Sequence, residues 1–379
     1  MKIGIDCRTI LNPSLGERAI EGYYAYALVK NLLRIDRQNQ YVLFFDYRMR
    51  DTSEFVRSNV QIRHFPFSQY KSFLPFAYTH MLMTAYLVKF GLDVYHSPTT
   101  SLPVTYPRKA VMTVHDLAMY KNPSWFPSHI FSSRLLLPQS IRNANRIITV
   151  AESTRKDLQE LFNVSSAKIR VVHDGAWVEK VALKRGRKGI AHLKTGKKFI
   201  LYLGTIEPRK NVTTLIRAYH KLLTWNPEYK AYTLVIAGKK GYKADVVLDE
   251  VRELKLGKQV RFIDYVTQNE KVDLMKAATC FVNPSYYEGF AMTVADALAL
   301  GTPVIASNIS SIKEIVGKAG ILFDPEKEYE LAAAIKKVLT GADLRKRLSR
   351  LGKVRAELFN WETCARQTLE VYYDTVKKK

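Results

Sequence analysis

At 379 residues and 47 % hydrophobic content, the chain can bury two cores, and it exceeds what one domain of ordinary size needs. A net charge of +24 points to an anionic partner: nucleic acid, an anionic membrane surface or anionic small molecules. Three widely spaced cysteines, Cys7, Cys280 and Cys364, exclude a disulfide framework and a cysteine metal cluster, and no apolar run reaches the length of a membrane span, which together suggest a reducing, cytoplasmic setting.

Met1–Asp6 reads as a strand start and not a signal peptide, because Asp6 interrupts the apolar run, and Lys2–Cys7 is the first strand candidate. Further strand candidates follow at 41–45, 60–65, 94–96, 110–114, 146–150 and 168–173, then at 199–204, 233–237, 260–263, 279–283, 303–307 and 321–323. Most are short Val/Ile/Phe runs without alternation, as expected of strands buried on both faces of a parallel sheet. Amphipathic segments such as Ile20–Ile35 and Leu215–Leu223 lie between them, so the fold class is α/β with two doubly wound units. Two apolar stretches, Ser72–Phe90 and the basic Ser128–Arg146, read first as core helices and second as surfaces touching lipid. Residues 178–198 carry eight Lys/Arg, among them Lys180, Arg187 and Lys198, against Glu179 alone, and read as an exposed linker. The expected domains are 1–177, the linker 178–198, 199–360, and a terminal helix at 361–379.

Chemistry-bearing residues gather at strand ends, where open parallel sheets bind ligands. His115 ends the run Val111–Val114. Arg209 and Lys210 stand between a strand ending at Gly204 and a helix starting near Asn211; two cations beside a helix N-terminus can neutralise a diphosphate. In Asn283–Gly301, Pro284 and Ser285 end a strand, Glu288 sits on the loop, and a helical pattern runs from Thr293 to Gly301 with Asp296 in its first turn. A helix N-terminus suits phosphate, and an acid on either side of it can hold hydroxyl groups, so a nucleotide sugar fits the whole. Thr293 and Asp296 also fit a T-x-x-D capping box, an alternative to ribose contact.

The stretch E-G-F-A-M-T-V-A-D resembles the E-x7-E motif of the family-4 retaining glycosyltransferases, usually E-G-F-G-x-P-x-x-E, with Ala291, Thr293 and Asp296 as departures. Other blocks agree. T-V-H-D-L followed by P-S-W-F is similar to a block of bacterial mannosyltransferases; V-A-E-S-T, H-D-G (Asp174 for Asn), G-T-I-E-P-R-K-N and D-Y-V also have family counterparts. The resemblance implies the GT-B fold: two Rossmann-like domains facing a cleft, with the segment W-E-T-C-A-R-Q-T-L-E-V-Y-Y-D forming a helix that crosses back to the first. It puts Glu288 and His115 in catalytic positions at the donor sugar with Gly289 and Phe290. Arg209, Lys210, Phe290, Ala291, Met292 and Thr293 fall at the diphosphate, and Asp296, Tyr265 and Val266 at the ribose and base. Gly22, also at the diphosphate, remains from a G-I-G turn in which Ile20 and Glu21 now replace Gly and Ile.

The implied reaction transfers a hexose with retention from a nucleotide diphosphate sugar, GDP-mannose first and a UDP-sugar second, to a hydroxyl of a glycan or lipid-linked glycan of the cell envelope. No cofactor or metal is expected, nor nucleic acid as a partner; an anionic membrane surface, the inner face, is a candidate one. Two rivals stay open: a nucleotide-sugar-binding protein with impaired catalysis, suggested by Asp296 and the altered turn, and a basic nucleic-acid-binding protein, suggested by charge alone.

Overall fold

Residues 1–11, 20–66, 77–103, 105–127, 137–178 and 186–377 are described by the structure, a computed structural model. The first part of each apolar stretch (72–76 and 128–136), most of the turn before Gly22 (16–19) and Lys180, Lys184 and Arg185 of the basic segment lie outside these residues. Two compact units emerge: Met1–Tyr120 with Ser128–Gly175 and Trp361–Lys379, and Lys121–Pro127 with Ala176–Asn360.

The first unit is built on a parallel sheet of seven strands: β1 (Lys2–Asp6), β2 (Gln40–Asp46), β3 (Val60–Phe65), β4 (Val94–Ser97), β5 (Ala110–Val114), β6 (Arg146–Thr149) and β7 (Ile169–Val171), in the order β3-β2-β1-β4-β5-β6-β7. The second has six parallel strands, β8 (Lys198–Leu203), β9 (Tyr232–Ala237), β10 (Val260–Ile263), β11 (Cys280–Asn283), β12 (Val304–Ser307) and β13 (Gly320–Phe323), in the order β10-β9-β8-β11-β12-β13. Each strand expected from the Val/Ile/Phe runs is present to within two residues. The reason is burial on both faces: every residue of β4, β5, β11 and β12 is buried, which leaves no polar face to break the run.

Helices cover the sheets with their apolar stripes. The Val212–Trp225 helix buries Leu215, Tyr219 and Leu222 in the core that contains Ile200, Leu234 and Ile236. The second unit begins at Ala176, and within the basic segment residues Gly186–Leu193 form a 3-10 helix with Ile190 buried, and His192 meets Glu270 at 2.8 Å, so this part of the expected linker is packed structure. Gly22 likewise lies inside the Ile20–Ile35 helix and not in a turn; with Ile20 and Glu21 in place of the glycine-rich sequence, the residues here are ordinary helix formers.

The Trp361–Lys377 helix belongs to the first unit and packs on the Ile20–Ile35 helix. Its buried positions Trp361, Cys364, Ala365, Thr368, Val371, Tyr372 and Thr375 follow the helical period. Polar ties hold it at both ends: Arg34 to Glu362 at 2.9 Å, Asn39 donating to the Tyr373 hydroxyl at 2.8 Å, and Lys109 donating to the Val376 carbonyl at 2.8 Å. Between them His96 is wholly buried, its Nδ1 2.6 Å from the Tyr372 hydroxyl and its Nε2 2.9 Å from Thr113 Oγ1. Burial, with a contribution from His115, lowers the His96 pKa to about 3, so the ring is neutral and bridges the two hydroxyls.

Asp174 stands beside this helix, where the chain turns so closely that a Cβ on Gly175 would lie 2.5 Å from the Trp361 nitrogen. The Asp174 side chain is buried, its Oδ1 has no hydrogen-bond partner among the described residues, and burial pushes its pKa well above the carboxylate range. A raised folded pKa means that stability is lost as pH rises above the unfolded value near 4. Asp174→Asn should therefore melt higher than the parent at pH 7, with the difference shrinking as pH falls toward about 4; equal melting curves at pH 7 by calorimetry would contradict this account.

Candidate active site

In the second unit the strand order reverses direction between β8 and β11, so the loops leaving these two strands diverge and open a crevice at their carboxyl ends. The β8 loop passes Gly204, which runs so close to Gly238 that a Cβ on Gly238 would sit 2.0 Å from the Gly204 carbonyl oxygen. Gly238 also has φ of +147°, open to glycine alone. Pro208–Lys210 then form a 3-10 turn that ends at Asn211 in the left-handed conformation. The Asn211 amide donates to the carbonyls of Pro284 (3.1 Å) and Pro325 (2.9 Å), and the Tyr286 N–H donates to the Arg209 carbonyl (2.9 Å), so the β8 and β11 loops are bound to each other.

At this junction Glu288 is buried between two cations. Lys210 Nζ donates to its Oε1 at 2.6 Å and Arg209 Nη1 to its Oε2 at 3.2 Å. Arg209 also reaches the Tyr287 carbonyl at 3.1 Å and Glu207 at 2.9 Å. Ser285 Oγ donates to Glu288 Oε1 at 2.8 Å, and Ser311 Oγ to the Glu288 carbonyl at 2.8 Å. Burial alone would raise the Glu288 pKa; Lys210 and Arg209 outweigh it and bring the group from 4.5 down to about 2. Burial and the charge of Arg209 lower the Lys210 pKa against the opposing pull of Glu288. The structure thus gathers three of the expected site residues into one cluster. Glu207, Ser285 and Ser311 join it; Glu207 and Ser285 stood within the quoted motifs, but nothing local marked their partners.

Gly289, Phe290 and Ala291 are buried and lead into the Met292–Leu300 helix, with Thr293 half-buried in its first turn. Ala291, at φ +56°, occupies the left-handed conformation that glycine adopts without strain, at the position where the usual motif has glycine.

Asp296 has 0 % exposure. Its Oδ1 accepts the backbone N–H groups of Trp177 (2.6 Å) and Val178 (3.2 Å), and its Oδ2 accepts from Lys271. It lies in the second turn of the helix, whose cap makes no side-chain hydrogen bond, so the T-x-x-D capping alternative is not the one adopted. A ribose could reach this carboxylate only if one of its present partners gave way. Tyr265 and Val266 follow β10 at its carboxyl end; Tyr265 is exposed and carries Lys239 5.1 Å from its ring centroid. A stack absent from the sequence reading pairs Trp125 with Tyr286, rings 5° from parallel with centroids 6.3 Å apart.

His115 and Gly22 are in the first unit. His115 follows β5, is buried, contacts the Pro98 carbonyl through Nε2 at 3.0 Å and packs edge-on against Tyr24 at 4.6 Å, while its Nδ1 has no hydrogen-bond partner. Among the described residues no helix is long and apolar enough to cross a membrane.

Residues 22–179 match the family described as Glycosyltransferase Family 4, and residues 187–355 match Glycosyl transferases group 1. An O-antigen chain mannosyltransferase B of Escherichia coli is 30 % identical over 74 % of this chain and 74 % of its own length. The chain belongs to the family-4, group 1 glycosyltransferases. A glycogen synthase of Mycobacterium tuberculosis is also 30 % identical, over 73 % of this glycosyltransferase and 65 % of its own length. Among solved structures, a sucrose-phosphate synthase from Thermosynechococcus elongatus has the same GT-B fold, with a TM-score of 0.77, 21 % identity and coverage of 99 % and 98 % of the two chains.

Two measurements follow from the cluster. With its folded pKa depressed, Glu288 stabilises the glycosyltransferase above about pH 4.5, and that contribution, on the order of 3 kcal/mol, is lost as pH falls toward about 2. Glu288→Gln should unfold more easily at pH 7, with the gap to the parent closing through this acid range; a constant gap in acid titrations of stability would contradict the pairing. Ala291→Gly should relieve left-handed strain and stabilise by about 0.5–1 kcal/mol in urea unfolding; a loss of stability would show that the Ala291 methyl contributes more than the strain costs.

Proposed function

We propose that this glycosyltransferase is a retaining, metal-independent hexosyltransferase that moves mannose from GDP-mannose to a hydroxyl of a glycan or lipid-linked glycan. The observation that carries the reading is the buried Glu288 held by Arg209 and Lys210 at the carboxyl ends of β8 and β11. Mannose is favoured because the likeness to the mannosyltransferase extends over 74 % of both chains, whereas the glycogen synthase is matched over 65 % of its length.

In this reading the donor diphosphate lies against Arg209 and Lys210. It competes with Glu207 and Glu288 for these cations, and its arrival turns the Glu288 carboxylate toward the sugar hydroxyls. As the bond from the anomeric carbon to the diphosphate breaks, negative charge grows on the departing oxygen. The two cations stabilise that charge, which is the work a metal performs elsewhere. The acceptor oxygen forms its bond on the same face, and its proton passes to the departing diphosphate oxygen. Glu288 stabilises the sugar without bonding to it covalently, and His115 is the second catalytic candidate. Tyr265 and Val266 flank the base, and Asp296 meets the ribose if Lys271 yields.

Incubation with a panel of GDP-, UDP- and ADP-sugars, reading released nucleotide, tests the donor; release from a UDP- or ADP-sugar alone would overturn GDP-mannose. Glu288→Gln should cut turnover more than about tenfold without weakening nucleotide binding, which should tighten as the competing charge is lost; a fall in turnover alone marks an interaction felt in the transition state. Lys210→Ala should weaken GDP binding by about 1.5–3 kcal/mol, and unchanged affinity by calorimetry would remove Lys210 from the diphosphate site. Turnover should persist in excess chelator; loss restored by magnesium or manganese would overturn metal independence.

A further inference from the structure

On the second unit, apart from the Glu288 cluster, the Val212–Trp225, Ala244–Glu253 and Glu328–Thr340 helices form a groove of about 570 Å³, within the usual range of ligand sites. One part is aromatic. Trp225 and Tyr329 meet edge to face at 5.2 Å and 67°, and they remain 36 % and 63 % exposed. The other part is polar and already paired: Arg217 binds Glu250 through two hydrogen bonds of 2.8 and 2.9 Å, and Lys221 meets Glu328 at 2.8 Å.

The charges of these four side chains cancel. A cationic ligand, or an anionic one that takes Arg217 or Lys221, would have to break an ion pair; Lys336, 5.8 Å from the Trp225 ring centroid, adds a cation at the aromatic end. A neutral ligand keeps both pairs. The paired guanidinium has further N–H donors and the carboxylates have further lone pairs, which suits a ligand rich in hydroxyls. The exposed rings suit one that also has an apolar face. A pyranose has both: hydroxyls around its rim and C–H groups on its faces.

We infer that this groove holds a segment of a neutral glycan, a binding site separate from the donor site. The inference rests on the chain being a glycosyltransferase and not on the choice of mannose. A second glycan contact lets an enzyme retain a polymer while its reacting end is exchanged, since linked sites raise the effective concentration of the chain.

The test is calorimetric titration of the full chain with two neutral probes, mannotetraose and maltotetraose. At least one should bind. Tyr329→Ala and Trp225→Ala should each weaken that binding about tenfold or more, equivalent to about 1.4 kcal/mol, with GDP affinity unchanged. Tyr329→Trp, which keeps an aromatic face, should retain it. The inference is overturned if neither probe binds, if the alanine variants bind as the parent does, or if Tyr329→Trp loses binding as fully as Tyr329→Ala. Binding of either probe upholds the groove whichever donor the nucleotide-sugar panel selects, so the two proposals fail separately.

Discussion

A carboxylate buried between two cations is the constraint on which the second unit depends. Glu288 loses its water on folding, and Lys210 and Arg209, with the Ser285 hydroxyl, outweigh that loss and keep it ionised. Because those cations come from the β8 loop and the carboxylate from the β11 loop, the pairing fixes how the two loops meet. The Asn211 amide and the Tyr286 N–H reinforce the same junction with hydrogen bonds to carbonyls. Electrostatics and loop geometry are therefore one feature here: a change in either charge leaves the other stranded in a dry place.

The sheet beneath explains why the cluster lies where it does. Parallel strands are covered on both faces, so their carboxyl ends are the natural place for polar chemistry, and the reversal between β8 and β11 opens that place. The close pass of Gly204 and Gly238 lets the neighbouring strand ends converge there. Asp296 acts as a strut behind it, holding the Trp177–Val178 backbone and Lys271 with one carboxylate. In the first unit the neutral His96 does comparable work, joining β4 to β5 through Thr113 and to the terminal helix through Tyr372. Asp174 is the contrast: buried as deeply, but with no cation among the described residues to offset the loss of water.

Much of this was legible in the linear chain. Short Val/Ile/Phe runs marked most of the described strands, since burial on both faces removes the polar alternation that would blur them. The helical period set Ile20–Ile35 to the residue. Arg209, Lys210 and Glu288 were visible because each follows a strand end, where a parallel sheet binds its ligands. Family membership was also legible, because its motifs are local strings of residues.

Two local signals, a turn before Gly22 and the alternative of a cap at Asp296, did not carry over. Gly22 suggested a turn, but Ile20 and Glu21 have no special backbone freedom and the helix runs through them. Thr293 and Asp296 suggested a cap, but the carboxylate found partners 25 and 119 residues away. That last case marks the division between the two kinds of information. Period, turn residues and strand composition depend on a few neighbours along the chain, so the sequence by itself determined the elements and their order. Which group neutralises a buried charge depends on which loops arrive at the same sheet end. Tertiary structure alone therefore decided that Lys210 and Arg209 share Glu288, that Lys271 and Trp177–Val178 take Asp296, and that burial raises the pKa of Asp174.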